Sequence, residues 1–111
     1  LAGALPPSLG ELGSSLTYLS LSGNAISSLP TELGALTGLE LLNLGTNAIT
    51  SLPAEIGALT VLRYLWLEDN GITSVPTEIG ALTLSFLVLY DNQLTGVPAE
   101  FRTWGPSENC D

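Results

Sequence analysis

The side chains in this chain that could do chemistry are carboxylates and aromatic rings. Eleven Asp and Glu stand against two basic residues, Arg63 and Arg102, and there is no His. The single thiol, Cys110, has no base beside it and cannot form an internal disulfide. No G-x-S-x-G elbow, phosphate-binding loop or metal-ligand spacing of Cys and His is present. An enzyme is therefore not expected. Three carboxylates, Glu68, Asp69 and Asp91, come close in repeat register and could in principle gather a hard cation such as Ca²⁺. No Gly-shaped loop surrounds them, so a plain negative patch is the preferred reading, and no cofactor or metal is expected.

The formal net charge of −9 narrows the partners. Nucleic-acid binding requires Lys and Arg to neutralise phosphates, which this chain lacks. An anionic membrane surface is disfavoured on the same ground. No apolar run approaches the roughly 18 residues of a membrane span, so no membrane insertion is expected from this segment. The chain opens on LAGALPPSLG, without Met or a basic leader. A basic protein partner suits the charge, as does a merely solvated acidic surface that keeps an open-ended structure dispersed.

What positions these groups is a sentence that the chain repeats. Residues 16–38 read LTYLSLSGNAISSLPTELGALTG, residues 39–61 read LELLNLGTNAITSLPAEIGALTV, and residues 62–83 read LRYLWLEDNGITSVPTEIGALT. A fourth copy, residues 84–103, reads LSFLVLYDNQLTGVPAEFRT. Asn24, Asn47 and Asn70 recur every 23 residues and Asn92 follows after 22. Residues 1–15 match the back half of a repeat whose strand is missing, with Leu5, Leu9 and Leu12 in the places of Leu29, Leu33 and Leu36. The whole chain, 1–111, reads as one repeat domain, with residues 104–111 as the fragment of a C-terminal cap. The pattern L-x-x-L-x-L-x-x-N-x-L at a fixed period resembles the leucine-rich repeat family, of the class that continues L-x-x-L-P-x-E-I-G-x-L. LAGALPPSLGEL and LTGVP are similar to plant-type members.

The resemblance implies an α/β leucine-rich repeat solenoid, with a short parallel sheet on the concave face and 3₁₀ or short helical return legs on the convex face. It also implies a curved binding scaffold without catalysis of its own. Extracellular members often close with a Cys-bearing cap, which sets Cys110 beside a free thiol as equal readings. The compartment stays open, with a slight lean to extracellular.

The residues themselves give the same architecture. Alternation in L-x-x-L-x-L describes a strand with one buried face, so Leu19 and Leu21, Leu42 and Leu44, Leu65 and Leu67, and Leu87 and Leu89 should point inward. The Asn column should satisfy the backbone of neighbouring turns, as short amides do where a chain bends. Pro30, Pro53, Pro76 and Pro98 should open a brief helical turn, which spaces Leu33 from Leu36, Ile56 from Leu59 and Ile79 from Leu82. Phe101 and Trp104 take those slots in the last copy and read as a plug over the open end. The Thr83–Leu84 junction is one residue short, so a local tightening is expected on the outer side without effect on the sheet.

Positions that vary between copies then form columns on the concave face. The first is Tyr18, Leu41, Tyr64 and Phe86; the second is Ser20, Asn43, Trp66 and Val88. The third is Ser22, Gly45, Glu68 and Tyr90, and the turn beyond adds Gly23, Thr46, Asp69 and Asp91. Five of the seven aromatic residues fall on this face. Cross-strand ring pairs do stabilise sheets, by roughly 0.2–1 kcal/mol each. Contiguous apolar surface rimmed by charge is nevertheless the usual mark of a protein contact, and Trp and Tyr dominate interface hot spots. The expected site is therefore Tyr18, Leu41, Asn43, Tyr64, Trp66, Glu68, Asp69, Phe86, Val88, Tyr90 and Asp91, binding a protein or peptide with a basic or apolar contact.

Two alternatives use other surfaces. Ser27, Thr50, Thr73 and Thr95 form one hydroxyl ladder, and Ser28, Ser51 and Ser74 form another. Such arrays could order water, as ice-binding or polysaccharide-binding surfaces do; the preferred reading is that they satisfy turn backbone groups. Open sheet edges and the aromatic face could also pair two copies into a homo-oligomer.

Overall fold

The computed structural model describes residues 2–94. The sequence expectations placed on Thr95, Val97, Pro98, Phe101, Arg102, Trp104 and Cys110 lie outside those residues. Four three-residue strands, β2 (Tyr18–Ser20), β4 (Leu41–Asn43), β5 (Tyr64–Trp66) and β6 (Phe86–Val88), form one parallel sheet in the order β2-β4-β5-β6. The register runs Tyr18, Leu41, Tyr64, Phe86 in one column and Ser20, Asn43, Trp66, Val88 in the other. Backbone bonds carry it one step further: Leu44 N donates to Trp66 O and Leu67 N to Val88 O, both at 2.8 Å.

Between those columns every strand drives a leucine into the interior. Leu42 and Leu65 are wholly buried and Leu87 is 2% exposed. Leu44, Leu67 and Leu89 follow them, and Ile26, Ile49 and Ile72 close each rung behind the turn. Leu19 and Leu21 are only half-buried, packed against this core from its N-terminal end. Among the described residues no full rung precedes them. Leu12 departs from expectation: the slot that buries Leu36 and Leu59 leaves Leu12 48% exposed. The cause is local, since the opening 3₁₀ segment Pro7–Ser15 breaks at Gly13, whose φ of 64° turns the chain out of helical geometry.

The asparagines bond as the repeat requires. Asn47 Nδ2 donates to Leu21 O, Leu44 O and Gly45 O at 3.0–3.3 Å, while its Oδ1 accepts from Ile26 N at 3.0 Å. Asn70 and Asn92 repeat this set one rung on. Each amide thus ties its own turn to the previous one, in a place where no backbone partner is available. The adjacent turn residues Gly23, Thr46, Asp69 and Asp91 all adopt left-handed backbone, with φ between 56° and 73°. Gly is at ease there and Asp tolerates it; β-branched Thr46 is strained.

The return legs are 3₁₀ helices. Pro30, Pro53 and Pro76 precede Thr31–Ala35, Ala54–Ala58 and Thr77–Ala81, and each proline carbonyl accepts from the N–H three residues on at 3.1 Å. Leu33, Ile56 and Ile79 are thereby turned into the core. Neighbouring legs pack closely because Gly34 and Gly57 face the next rung. A Cβ at Gly57 would stand 2.9 Å from the Glu78 Cβ and carbonyl oxygen, and one at Gly34 would stand 3.0 Å from the same atoms of Glu55. After the last leg Leu82 is extended (ψ 151°), whereas Leu36 and Leu59 turn (ψ 57° and 64°). The missing residue is absorbed there, and Leu65 still pairs with Leu87.

One element was not foreseen. β1 (Ala2–Ala4) and β3 (Ala25–Ser28) form a separate two-stranded parallel sheet beyond the asparagine turn. The opening segment thus joins the first full repeat, residues 16–38, through its flank and not through the main sheet.

Candidate functional site

All the varying strand positions stand on the side of the sheet opposite the buried leucines, as alternation along a strand requires. Tyr64 and Trp66, two residues apart on β5, stack with centroids 5.9 Å apart and planes 14° from parallel. Tyr64 also stacks on Phe86 of β6, at 5.9 Å and 22°. Offset ring pairs of this kind add about 0.5–1.5 kcal/mol beyond the area they bury, so part of the cluster has a structural explanation. That explanation stops short of Tyr18 and Tyr90, which are 62% and 46% exposed, and Phe86 is 44% exposed even though it is stacked.

At the β5–β6 end of the face lies an open pocket of about 370 Å³ lined by Trp66, Glu68, Phe86, Val88 and Tyr90. Val88 is only 7% exposed. It still lines the pocket, as a nearly buried apolar side chain. Among the described residues Glu68 supplies the one charged wall. Its carboxylate lies over Gly45 of the preceding rung, so closely that any Cβ there would collide with it. Glu68 Oε1 is shielded from solvent and has no hydrogen-bond partner among the described residues. Burial without a partner is costly for a carboxylate oxygen.

The remaining expected contacts divide. Tyr64 adjoins the pocket through its stacks, while Tyr18, Leu41 and Asn43 belong to the columns but do not line it. Asn43 Oδ1 accepts from Gly45 N at 3.1 Å, which gives that side chain a local task. Asp69 and Asp91 are exposed at the turn, and their left-handed backbone supplies a reason for their type independent of any partner. Among the described residues no group of acidic, His or Cys side chains is gathered closely enough to hold a metal ion. Gly45 was absent from the expected site. Its signal lay in the third column, where three rungs carry a side chain and one carries none.

The hydroxyl ladders occupy a different flank. Ser27, Ser28, Thr50, Ser51, Thr73 and Ser74 are all exposed. The preferred expectation, hydroxyls satisfying turn backbone groups, does not hold for these six, since the turn bonds run through the asparagine amides instead. No helix among the described residues is long and apolar enough to cross a membrane.

Comparison with known proteins agrees with this architecture. A family model described as leucine rich repeat matches residues 14–72, and the chain belongs to the leucine-rich repeat family. Its fold is the α/β solenoid of that family. A leucine-rich repeat protein of Leptospira interrogans superposes with a TM-score of 0.79 at 40% identity, over 88% of this chain and 24% of that one. The plant peptide hormone receptor RGFR1, solved in complex with RGF2, gives 0.75 at 36% identity over 83% of this chain and 15% of the receptor. The BIR3–SERK2 complex from Arabidopsis thaliana gives 0.73 at 28% identity, over 88% of this chain and 53% of the matched one. The chain thus spans about half the length of these structures at most. No curated protein sequence matches it.

Proposed function

We propose that this chain is a non-catalytic recognition module that docks a protein or peptide on the β5–β6 end of its concave face. The observation that carries the reading is the pocket itself, lined among the described residues by three aromatic rings, the apolar Val88 and one carboxylate. Buried aromatic anchors surrounded by polar rims are where interface energy concentrates. The plant receptor and the BIR3–SERK2 assembly, both solved as complexes, lend the reading further support.

The test selects peptides from a random displayed library with the intact chain, then measures the same peptides against the double variant Trp66→Ala/Tyr90→Ala. Hot-spot side chains each contribute about 2 kcal/mol or more, so a loss of at least roughly a hundredfold is expected for the pair. Thermal melting should move by only a few degrees, because neither ring belongs to the buried core. Undiminished binding would place the contact elsewhere. Collapse of the fold would make the rings packing residues.

A second reading rests on the exposed hydroxyl rows of the other flank. They could order water against ice or a polysaccharide. Thermal hysteresis and faceted ice in the presence of the purified chain would carry that reading; unshaped ice would remove it.

A further inference from the structure

The pocket between β5 and β6 has one feature that apolar docking does not use, an orphaned carboxylate. Resting on the concave-face reading above, we propose that the pocket is an arginine receptor: it takes the guanidinium of a single Arg side chain from the bound protein or peptide. Glu68 Oε1 is sealed from water with no donor among the described residues, yet the side chain lines an open pocket. No ligand reaches that sealed oxygen directly, but the carboxylate charge is left without a compensating donor, and a cationic ligand in the pocket that Glu68 lines offsets it. Trp66, Phe86 and Tyr90 line the same cavity, and aromatic rings attract cations to their faces. The apolar Val88 accepts the methylene stem that carries the charge.

Guanidinium fits better than ammonium. It is planar, stacks on rings and is weakly hydrated, whereas an ammonium is a compact and strongly hydrated point charge. The chain's own Arg63 is exposed at the start of β5 and does not line the cavity. A net charge of −9 draws the incoming cation from a distance.

Gly45 is the positioning residue. Its missing Cβ is the seat on which the Glu68 carboxylate rests, and what a side chain there would strike is the movable end of Glu68, not backbone. Gly45 is not among the residues with positive φ, so Ala can adopt its backbone. Gly45→Ala therefore displaces the carboxylate while every charge stays in place.

The experiment titrates the ¹⁵N-labelled chain with acetyl-Gly-Arg-Gly-amide, following the Trp66 indole N–H, which a Trp66→Phe spectrum assigns. Twin peptides carry Lys, or citrulline, the neutral shape-mimic of Arg. The Arg peptide should shift the indole at millimolar concentration, with the citrulline twin weaker by about tenfold and Lys in between. Glu68→Gln and Gly45→Ala should each weaken the Arg peptide by a similar factor, with unchanged far-ultraviolet circular dichroism. The proposal is overturned if citrulline binds as well as Arg, if Lys equals Arg, if both variants bind as the parent does, or if no peptide moves the Trp66 signal. Failure here leaves peptide docking to be judged by the Trp66→Ala/Tyr90→Ala selection. Conversely, a selected peptide that binds regardless of Trp66 and Tyr90 removes the docking reading even where the indole responds to Arg.

Discussion

Leu65→Ala is expected to lower the free energy of unfolding by about 2–5 kcal/mol, the range for emptying a buried leucine site. The side chain is wholly buried on β5, an interior strand, between Leu42 and Leu87 in register. Its surroundings cannot collapse into the void, because the backbone on either side is held by the parallel ladder. Each rung of a solenoid contacts only its neighbours, so a hole in an interior rung weakens two interfaces together. Leu19→Ala is the control. That residue is half-buried on the end strand β2, so the loss should be clearly smaller, about 1–2 kcal/mol on the scale of apolar area removed. Urea denaturation of both variants measures the difference, and equal losses would contradict the placement of the core.

Asn70→Ala should cost a comparable amount, about 3 kcal/mol, for a different reason. The amide accepts from Ile49 N at 2.9 Å and donates to Leu44 O, Leu67 O and Glu68 O at 3.0–3.2 Å. Removing it strands the Ile49 N–H in a part-buried turn, which costs about 1–3 kcal/mol. It also takes one donor from each carbonyl, although Asn47 Nδ2, Asn92 Nδ2 and Thr46 N still serve Leu44 O, Leu67 O and Glu68 O. Asn70→Asp separates the two halves of the amide. Aspartate still accepts from Ile49 N but brings a negative oxygen against carbonyls where the amide donated. It should therefore be no milder than alanine at neutral pH. Thermal and urea unfolding of Asn70→Ala and Asn70→Asp give the comparison; a near-native Asp variant would mean that the donor half is dispensable.

Most of the fold was legible because the repeat states each rule several times. One L-x-L pair could be strand or helix. Four pairs at the same phase, each followed by Asn and then by Leu-Pro or Val-Pro, leave only a rung that turns at the Asn and returns through the Pro. The columns were legible for the same reason, since register follows from phase alone. Leu12 was misread because its slot was inferred by analogy, and the break at Gly13 is a backbone event that the letters G-S-S do not announce. The β1–β3 pair was missed because Ala-Gly-Ala and Ala-Ile-Ser-Ser carry almost no alternation; their pairing follows from the rungs on which they sit. The pocket was legible as an aromatic cluster but not as a cavity. Its lining includes the nearly buried Val88, and the seat of its carboxylate is an empty place at Gly45, where the informative residue is the one without a side chain.

Gly34 and Gly57 carry a consequence for shape. On the inner side the distance between rungs is set by backbone hydrogen bonds and cannot stretch without breaking them. On the outer side it is set by how near one return leg may come to the next, and these two residues let the legs nearly touch. The arc is therefore a hinge with a fixed leaf and an adjustable one. Bulk added to the outer leaf would act as a wedge, bending the stack inward and narrowing the hollow from a distance. The width of the hollow is in that sense governed from the back of the molecule, by residues that no ligand on the strand face would ever touch.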